Sequence, residues 1–239
     1  MHLGNLEKKM FSDTHADLAW GALVASGVRD QRELNDYLAK IDILCQLINA
    51  IPTADGNLQK AKALFDWLWK TKPNRYEYQG IFRLPEVVNA QLDPNAEKVG
   101  NCLGLTILYN VLAQRLGIEV RAVYLEEAFG RGSHVFSTLN INQATVDIEN
   151  IFPHGFDFKG HLDNPQRTRW VDAQLIADIY HSTANELFER GNHEEAIQNY
   201  GKTIRLNPKY TKAHLNRGLA LAMLGRDEEA RQNFYFSQE

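Results

Sequence analysis

Thiol chemistry on a carbonyl needs a cysteine placed to favour its thiolate, a base to take its proton and a group to hold that base. This sequence offers all three, in that order. Cys102 follows Gly100 and Asn101 and opens an apolar run through Leu103, Leu105, Leu108, Val111 and Leu112 to Gly117. Asn101 is a good N-cap and Gly117 a good C′ residue, so the run reads as one helix of about four turns. Cys102 then sits in its first turn, where the positive end of the helix dipole stabilises a thiolate. A structural cysteine would fit the same place, and position alone leaves both roles open. His134 follows downstream as a base, and Asp147 and Glu149 follow as carboxylates able to fix its tautomer and stabilise its imidazolium.

The elements that must carry these groups can be read around them. The cysteine helix is apolar over most of its circumference and is expected to be central and buried. Strands are expected at 120–125, 134–141 and 144–148, joined by a glycine-rich turn at 129–133 and by Asn142-Gln143, giving an antiparallel hairpin or meander. Alternation places His134, Phe136 and Thr138 on one face of their strand, and Asp147 and Glu149 on one face of the next. A hairpin turn near Ile141-Asn142 brings one of the two acids beside His134. Upstream, Leu18, Leu23 and Val24 mark a helix capped by Asp13. A longer stripe from Leu34 through Leu38, Ile41, Leu44 and Ile48 to Ile51 ends at Pro52, and Leu64, Phe65, Leu68 and Trp69 mark a third helix, closed by Pro73. Between 74 and 99, Tyr76, Tyr78, Gln79 and Asn89 lie among Pro85 and Pro94, a long and partly irregular approach of the kind that often carries function.

Three stretches together carry a family likeness. Gly100-Asn101-Cys102 opening an apolar helix, then Ser133-His134-Val135-Phe136, then Val146-Asp147-Ile148-Glu149, resemble the transglutaminase-like superfamily over about 74–158. The resemblance implies an α+β, helix-rich, papain-like domain with a small antiparallel sheet. It also implies thiol chemistry on amide or acyl bonds: peptide hydrolysis, deamidation or acyl transfer to an amine. Cys102 would be the nucleophile, His134 the base and then the acid, and Asp147 or Glu149 the orienting carboxylate. The Cys102 amide, helped by Gln79 or a nearby tyrosine, would hold the oxyanion. Two departures stand out. Phe136 occupies a position where the family has Trp, and two acids compete for one role. Val146-Asp147 is the closer match, so Asp147 is the expected partner.

The C-terminal segment repeats itself at an offset of 34 residues, which pairs Ala184 with Gly218, Leu187 with Leu221, Gly191 with Gly225, Ala196 with Ala230 and Tyr200 with Phe234. Small residues fall where helices cross, glycine at the turn, and an aromatic between helices; Pro208 separates the units. These positions resemble the tetratricopeptide signature, with Tyr180 and His214 at the usual Trp position. That family implies a peptide- or protein-binding groove, here built from His181, Asn185 and Phe188, then Leu215, Leu219 and Ala222. The expected division is a domain over 1–160, an aromatic connection over 161–176 and two repeats over 177–210 and 211–239. Two repeats fall short of the three that stacking needs. They are therefore expected to lean on the first domain through Phe152, Phe156, Phe158 and Trp170 and the apolar face at Leu215 and Leu219.

Bulk properties narrow the rest. The chain of 239 residues is 44% hydrophobic and 23% charged, with a formal net charge of -4, so no basic face for nucleic acid is expected. No run suggests a signal peptide or membrane span, and a cytoplasmic setting is expected. Cys45, inside the second helical stripe, reads as an inert buried thiol. His154 and His161, near Asp157, lack HExxH or CxxC spacing, and His15 and His193-Glu194-Glu195 read as ordinary surface or core; no metal or cofactor is expected. Gly130-Arg131-Gly132 is no phosphate loop and reads as a cleft rim. Two function classes stay open: a thiol enzyme with a partner-binding appendage, and a binding scaffold that keeps the fold without the chemistry.

Overall fold

The computed structural model describes residues 4–12, 17–141 and 144–237. Asp13, His15 and the Asn142-Gln143 turn lie outside the described residues. Within them the chain forms ten helices and one four-stranded sheet, an α+β architecture followed by a helical region.

α1 (Asn5–Ser12), α2 (Leu18–Ala25), α3 (Gln31–Asn49) and α4 (Asn57–Thr71) form the first helical layer. Asp17 caps α2, accepting from the Ala19 amide at 3.1 Å, and Asp30 caps α3 through the Glu33 amide at 2.9 Å. The expected helix stripes fall inside these elements except for Ile51, which lies past the end of α3, whereas α1 has no counterpart in the expectations. The stretch expected to be irregular contains α5 (Leu84–Leu92), with Pro85 in its first turn. Proline there starts a helix instead of breaking it, because its missing N–H is one that a first turn cannot satisfy anyway.

α6 (Cys102–Arg115) is the central element. Every residue from Leu103 to Ala113 is buried. Thr106 donates to the Val135 carbonyl at 3.1 Å and Tyr109 to the Ala61 carbonyl at 2.9 Å, tying α6 to the sheet on one side and to α4 on the other. β1 (Val120–Leu125), β2 (His134–Ile141), β3 (Ala144–Ile148) and β4 (Thr168–Trp170) are antiparallel in the order β3-β2-β1-β4. The first three strands match the expected segments. β4 was not expected and comes from the connection.

α7 (Asp172–Glu189), α8 (His193–Leu206), α9 (Thr211–Met223) and α10 (Asp227–Phe236) are two helical hairpins. Gly191 and Gly225 turn them with φ of 79° and 71°, left-handed values that glycine adopts without strain. A Cβ on Gly218 would meet the Phe234 ring at 2.5 Å, so small residue and aromatic complement each other as expected. α7 starts ahead of the expected 177. Its Ile176, Ile179 and Tyr180 belong to the main core, while Ala184 belongs to the core of the hairpins. The expected docking face is corrected here. Leu215 and Leu219 are 42% and 43% exposed. Docking runs through α7 and an aromatic trio, in which Trp170 of the connection stacks on Tyr124 at 4.2 Å and both rings meet Tyr210 edge-on. No helix among the described residues is long and apolar enough to cross a membrane.

Candidate active site

The start of α6 is built by close backbone approach. Asn101 accepts from the Gly104 amide at 3.1 Å and donates its own amide to the Ile81 carbonyl at 2.9 Å. A Cβ on Gly100 or Gly104 would lie 2.8 or 2.7 Å from that same carbonyl, so both positions demand glycine. The result fixes Cys102, half-buried, in the first helical turn.

His134 opens β2 opposite Leu125 and is 6% exposed. Its Nε2 lies 2.7 Å from Glu149 Oε2. Glu149 is completely buried, yet its carboxyl stays below the usual range. Burial, the largest effect, pushes it up; hydrogen bonds and charge from His134 and His161 outweigh that. An ionised carboxylate only accepts, so Nε2 carries the proton and Nδ1 is the nitrogen left for the thiol. Cys102 lines the same cleft as His134 and acts on the ionisation of its ring by hydrogen bonding and by charge. Burial pushes His134 down most strongly of any single cause, but Cys102 and Glu149 together raise it to about 10.

The acid beside His134 is therefore Glu149, and the expectation that Asp147 would stand there is corrected. β2 pairs with β3 so that Thr138 faces Asp147. Continuing that ladder puts Glu149 opposite Phe136, one same-face step from His134, while Asp147 is one step too far along the sheet. Asp147 instead binds Arg167 through both oxygens at 2.7 and 3.0 Å and accepts from Thr138 at 3.1 Å. Glu149 is held by its backbone, whose amide donates to the Gly155 carbonyl at 2.8 Å. Gly155 comes so close that any Cβ there would overlap the Glu149 carbonyl.

His161 was missed. It is 4% exposed, and its Nε2 lies 3.0 Å from the same Glu149 Oε2 that His134 uses. Its signal was the aromatic connection itself: a histidine in a segment that packs must be partnered inside. His134, Glu149 and His161 offer three donor atoms within 4.8 Å of one another, a set whose chemistry suits a divalent transition metal. A metal needs neutral imidazole at the ligating nitrogen. With Glu149 ionised, both Nε2 atoms donate to it, and a metal at this point would have to displace both protons.

A cleft of about 230 Å³ opens beside Cys102, lined by Tyr76, Tyr78, Phe129, Arg131, His134 and Phe152, among others. The glycine-rich turn forms its rim as expected. Phe129 holds a left-handed φ of 56°, and its ring meets His134 at 5.4 Å and His161 at 4.9 Å. Gln79 is exposed and does not line this cleft; Tyr76 and Tyr78 do. Phe136, at the position where the resemblance implies Trp, is fully buried and stacks on His161 at 4.9 Å. Cys45 is buried apart, and burial, with the Asp42 charge, pushes its thiol up to about 11 against a weaker opposing effect of Arg115.

In the helical hairpins, two of the expected groove residues are engaged internally. His181 Nε2 and Asn185 both contact the Asn216 amide, at 3.3 and 3.1 Å, and Tyr200 donates to Asn185 at 2.7 Å. Residues 184–225 match the TPR repeat family, so the C-terminal region carries a protein-interaction module. The chain is 42% identical over 59 residues to the uncharacterized protein MJ0572 of Methanocaldococcus jannaschii, a stretch covering 25% of this chain and 69% of that one. The chain belongs to the same family as that protein. No solved structure matches it.

Proposed function

We propose that the chain is a transglutaminase-like thiol enzyme acting on amide or acyl bonds, with the TPR hairpins as its partner-binding module. The observation that carries this reading is the His134–Glu149 contact of 2.7 Å, with Cys102 at a helix N-terminus lining the same cleft as His134. In the reading, Cys102 Sγ attacks the substrate carbonyl carbon while imidazolium His134 retains the thiol proton. The collapsing tetrahedral intermediate expels the amine, which takes that proton from Nδ1 and leaves a thioester on Cys102. Water or a second amine, deprotonated by His134, then attacks the thioester, and the tetrahedral intermediate expels the Cys102 thiolate beside imidazolium His134, giving hydrolysis in the first case and acyl transfer in the second. Glu149 keeps the ring in its working tautomer. The Cys102 amide, which has no acceptor within its own helix, and Tyr76 in the cleft wall serve the oxyanion.

Iodoacetamide tests this directly. At pH 6, Cys102 is expected to alkylate at least ~10-fold faster than a free thiol, and His134→Ala to remove that advantage. Equal rates in both proteins, at the free-thiol level, would sink the enzyme reading. They would favour the second one, a scaffold, which rests on the TPR match.

A further inference from the structure

Two rings share Glu149 Oε2, but of the two only His134 lines the Cys102 cleft. We propose that His161 is a positioning residue of the thiol site, whose Nε2–H holds the Glu149 carboxylate ionised and aimed at His134. The inference rests on the enzyme reading above and assigns a further residue to it.

The geometry argues for this role over simple packing. A carboxylate buried without water is stable only when its oxygens are satisfied. Oε1 receives one long bond, from the Ile151 amide at 3.4 Å, so Oε2 and its two imidazole donors bear most of that demand. With His134 as sole donor, the carboxyl would be freer to rotate and easier to protonate. The second donor arrives from a different part of the chain and closes both options.

His161 is itself held from several sides. Its ring packs against Phe136 at 4.9 Å, Phe129 at 4.9 Å and Phe158 at 5.0 Å. Its carbonyl accepts from Arg167 Nη1 at 3.1 Å, and Arg167 is the residue clamped by Asp147. The acid that the sequence favoured thus anchors the segment carrying the second histidine. The charged and titratable groups around the carboxylate are His134 and His161 on Oε2, the Tyr76 hydroxyl, which senses the Glu149 charge, and Cys102, which lines the cleft with His134. The Arg167–Asp147 pair stands behind His161.

The test uses the full chain and needs no substrate. His161→Phe keeps an aromatic ring in the stack and removes the donor; His161→Gln restores an amide N–H near the same point. NMR titration of the Glu149 carboxyl carbon and iodoacetamide rates between pH 4 and 9 are the readouts. In H161F the Glu149 titration is expected to move up by about one unit or more, carrying the acid limb of the alkylation profile with it. H161Q is expected to return most of that shift. If H161F does not fold, His161→Asn, whose amide falls short of Oε2, is expected to show the same rise. A Glu149 titration unmoved in H161F or H161N, or no better restored by Gln than by Phe, overturns the positioning role alone. A wild-type Cys102 no more reactive than a free thiol overturns the enzyme reading and this role with it.

Discussion

Replacing the two candidate acids in turn separates the orienting carboxylate from the structural one. In Glu149→Gln the amide oxygen can still face both Nε2–H donors, so the bonds at 2.7 and 3.0 Å survive in neutral form. A charge-assisted bond contributes about 1.5–3 kcal/mol and a neutral one about 0.5–1.5, so the two together lose roughly 2 kcal/mol. In a chain of this size that lowers Tm by about 4–8 °C. The chemical effect is larger. The Glu149 charge is one of the causes holding His134 near 10, and losing its ionic bond weakens the imidazolium by a factor of about 10–100. Wild-type alkylation of Cys102 is expected to be nearly flat from pH 6 to 8, where a free thiol of pKa ~8.5 gains roughly 80-fold. E149Q should recover that steep rise and lose at least ~10-fold of its rate at pH 6. Asp147→Asn leaves Arg167 facing a neutral amide and costs about 3 kcal/mol, yet should keep the flat profile, with its rate within a few-fold of wild type. Stopped-flow or mass-spectrometric alkylation rates beside thermal melts decide the matter. If D147N steepens the profile and E149Q leaves it flat, the assignment of Glu149 is wrong.

The remaining expectations concern pH and two close approaches. His134 is raised above its ordinary 6.5, so its contribution to stability is complete below pH 6.5 and is lost as pH rises through about 10. Glu149 is lowered from 4.5, so its contribution is complete above pH 4.5 and lost as pH falls below that. Denaturant midpoints should therefore peak between about pH 4.5 and 6.5, and His134→Gln should flatten both flanks; a variant curve parallel to wild type would contradict this. Gly155→Ala forces a methyl into the Glu149 carbonyl and should cost at least ~2 kcal/mol while abolishing rapid alkylation; a neutral melt with normal alkylation would refute the tight approach. Gly104→Ala gains about 1 kcal/mol of helix propensity. It also meets the Ile81 carbonyl at 2.7 Å and Val87 at 2.9 Å, so a net loss of about 1–2 kcal/mol is expected by chemical denaturation.

Much of this site lay open in the sequence, and the part that did not has physical reasons. Asn101, Gly117 and the apolar run between them define α6 because caps and circumference are local properties. Strand limits followed from alternation for the same reason. The choice between Asp147 and Glu149 depended on register, and a connection of two residues already fixes it: Ile141 faces Ala144, so Asp147 must face Thr138. The motif match points to Asp147, the count to Glu149. α5 is hidden because Pro85 reads locally as a breaker. β4 was hidden because three residues carry no readable period. His161 was hidden for a deeper reason: its partner is reached only by tertiary folding, across the turn that Gly155 permits.

The shared helix α7 has a mechanical consequence. Its first half is sealed in one core and its second half in another, while Glu7 accepts from Tyr180 at 2.9 Å and Lys202 at 2.7 Å across the same junction. The place where a modular protein keeps its hinge is here the interior of a rod. A ligand gripped by the hairpins would therefore stand at a fixed bearing from Cys102, as on a calliper, and not on a tether that samples many distances. Lys212 on α9 adds a strut of 2.8 Å to the Glu126 carbonyl at the foot of the cleft rim. Selection between ligands would then be by span, the length of chain from grip to carbonyl, as much as by the residues at either end.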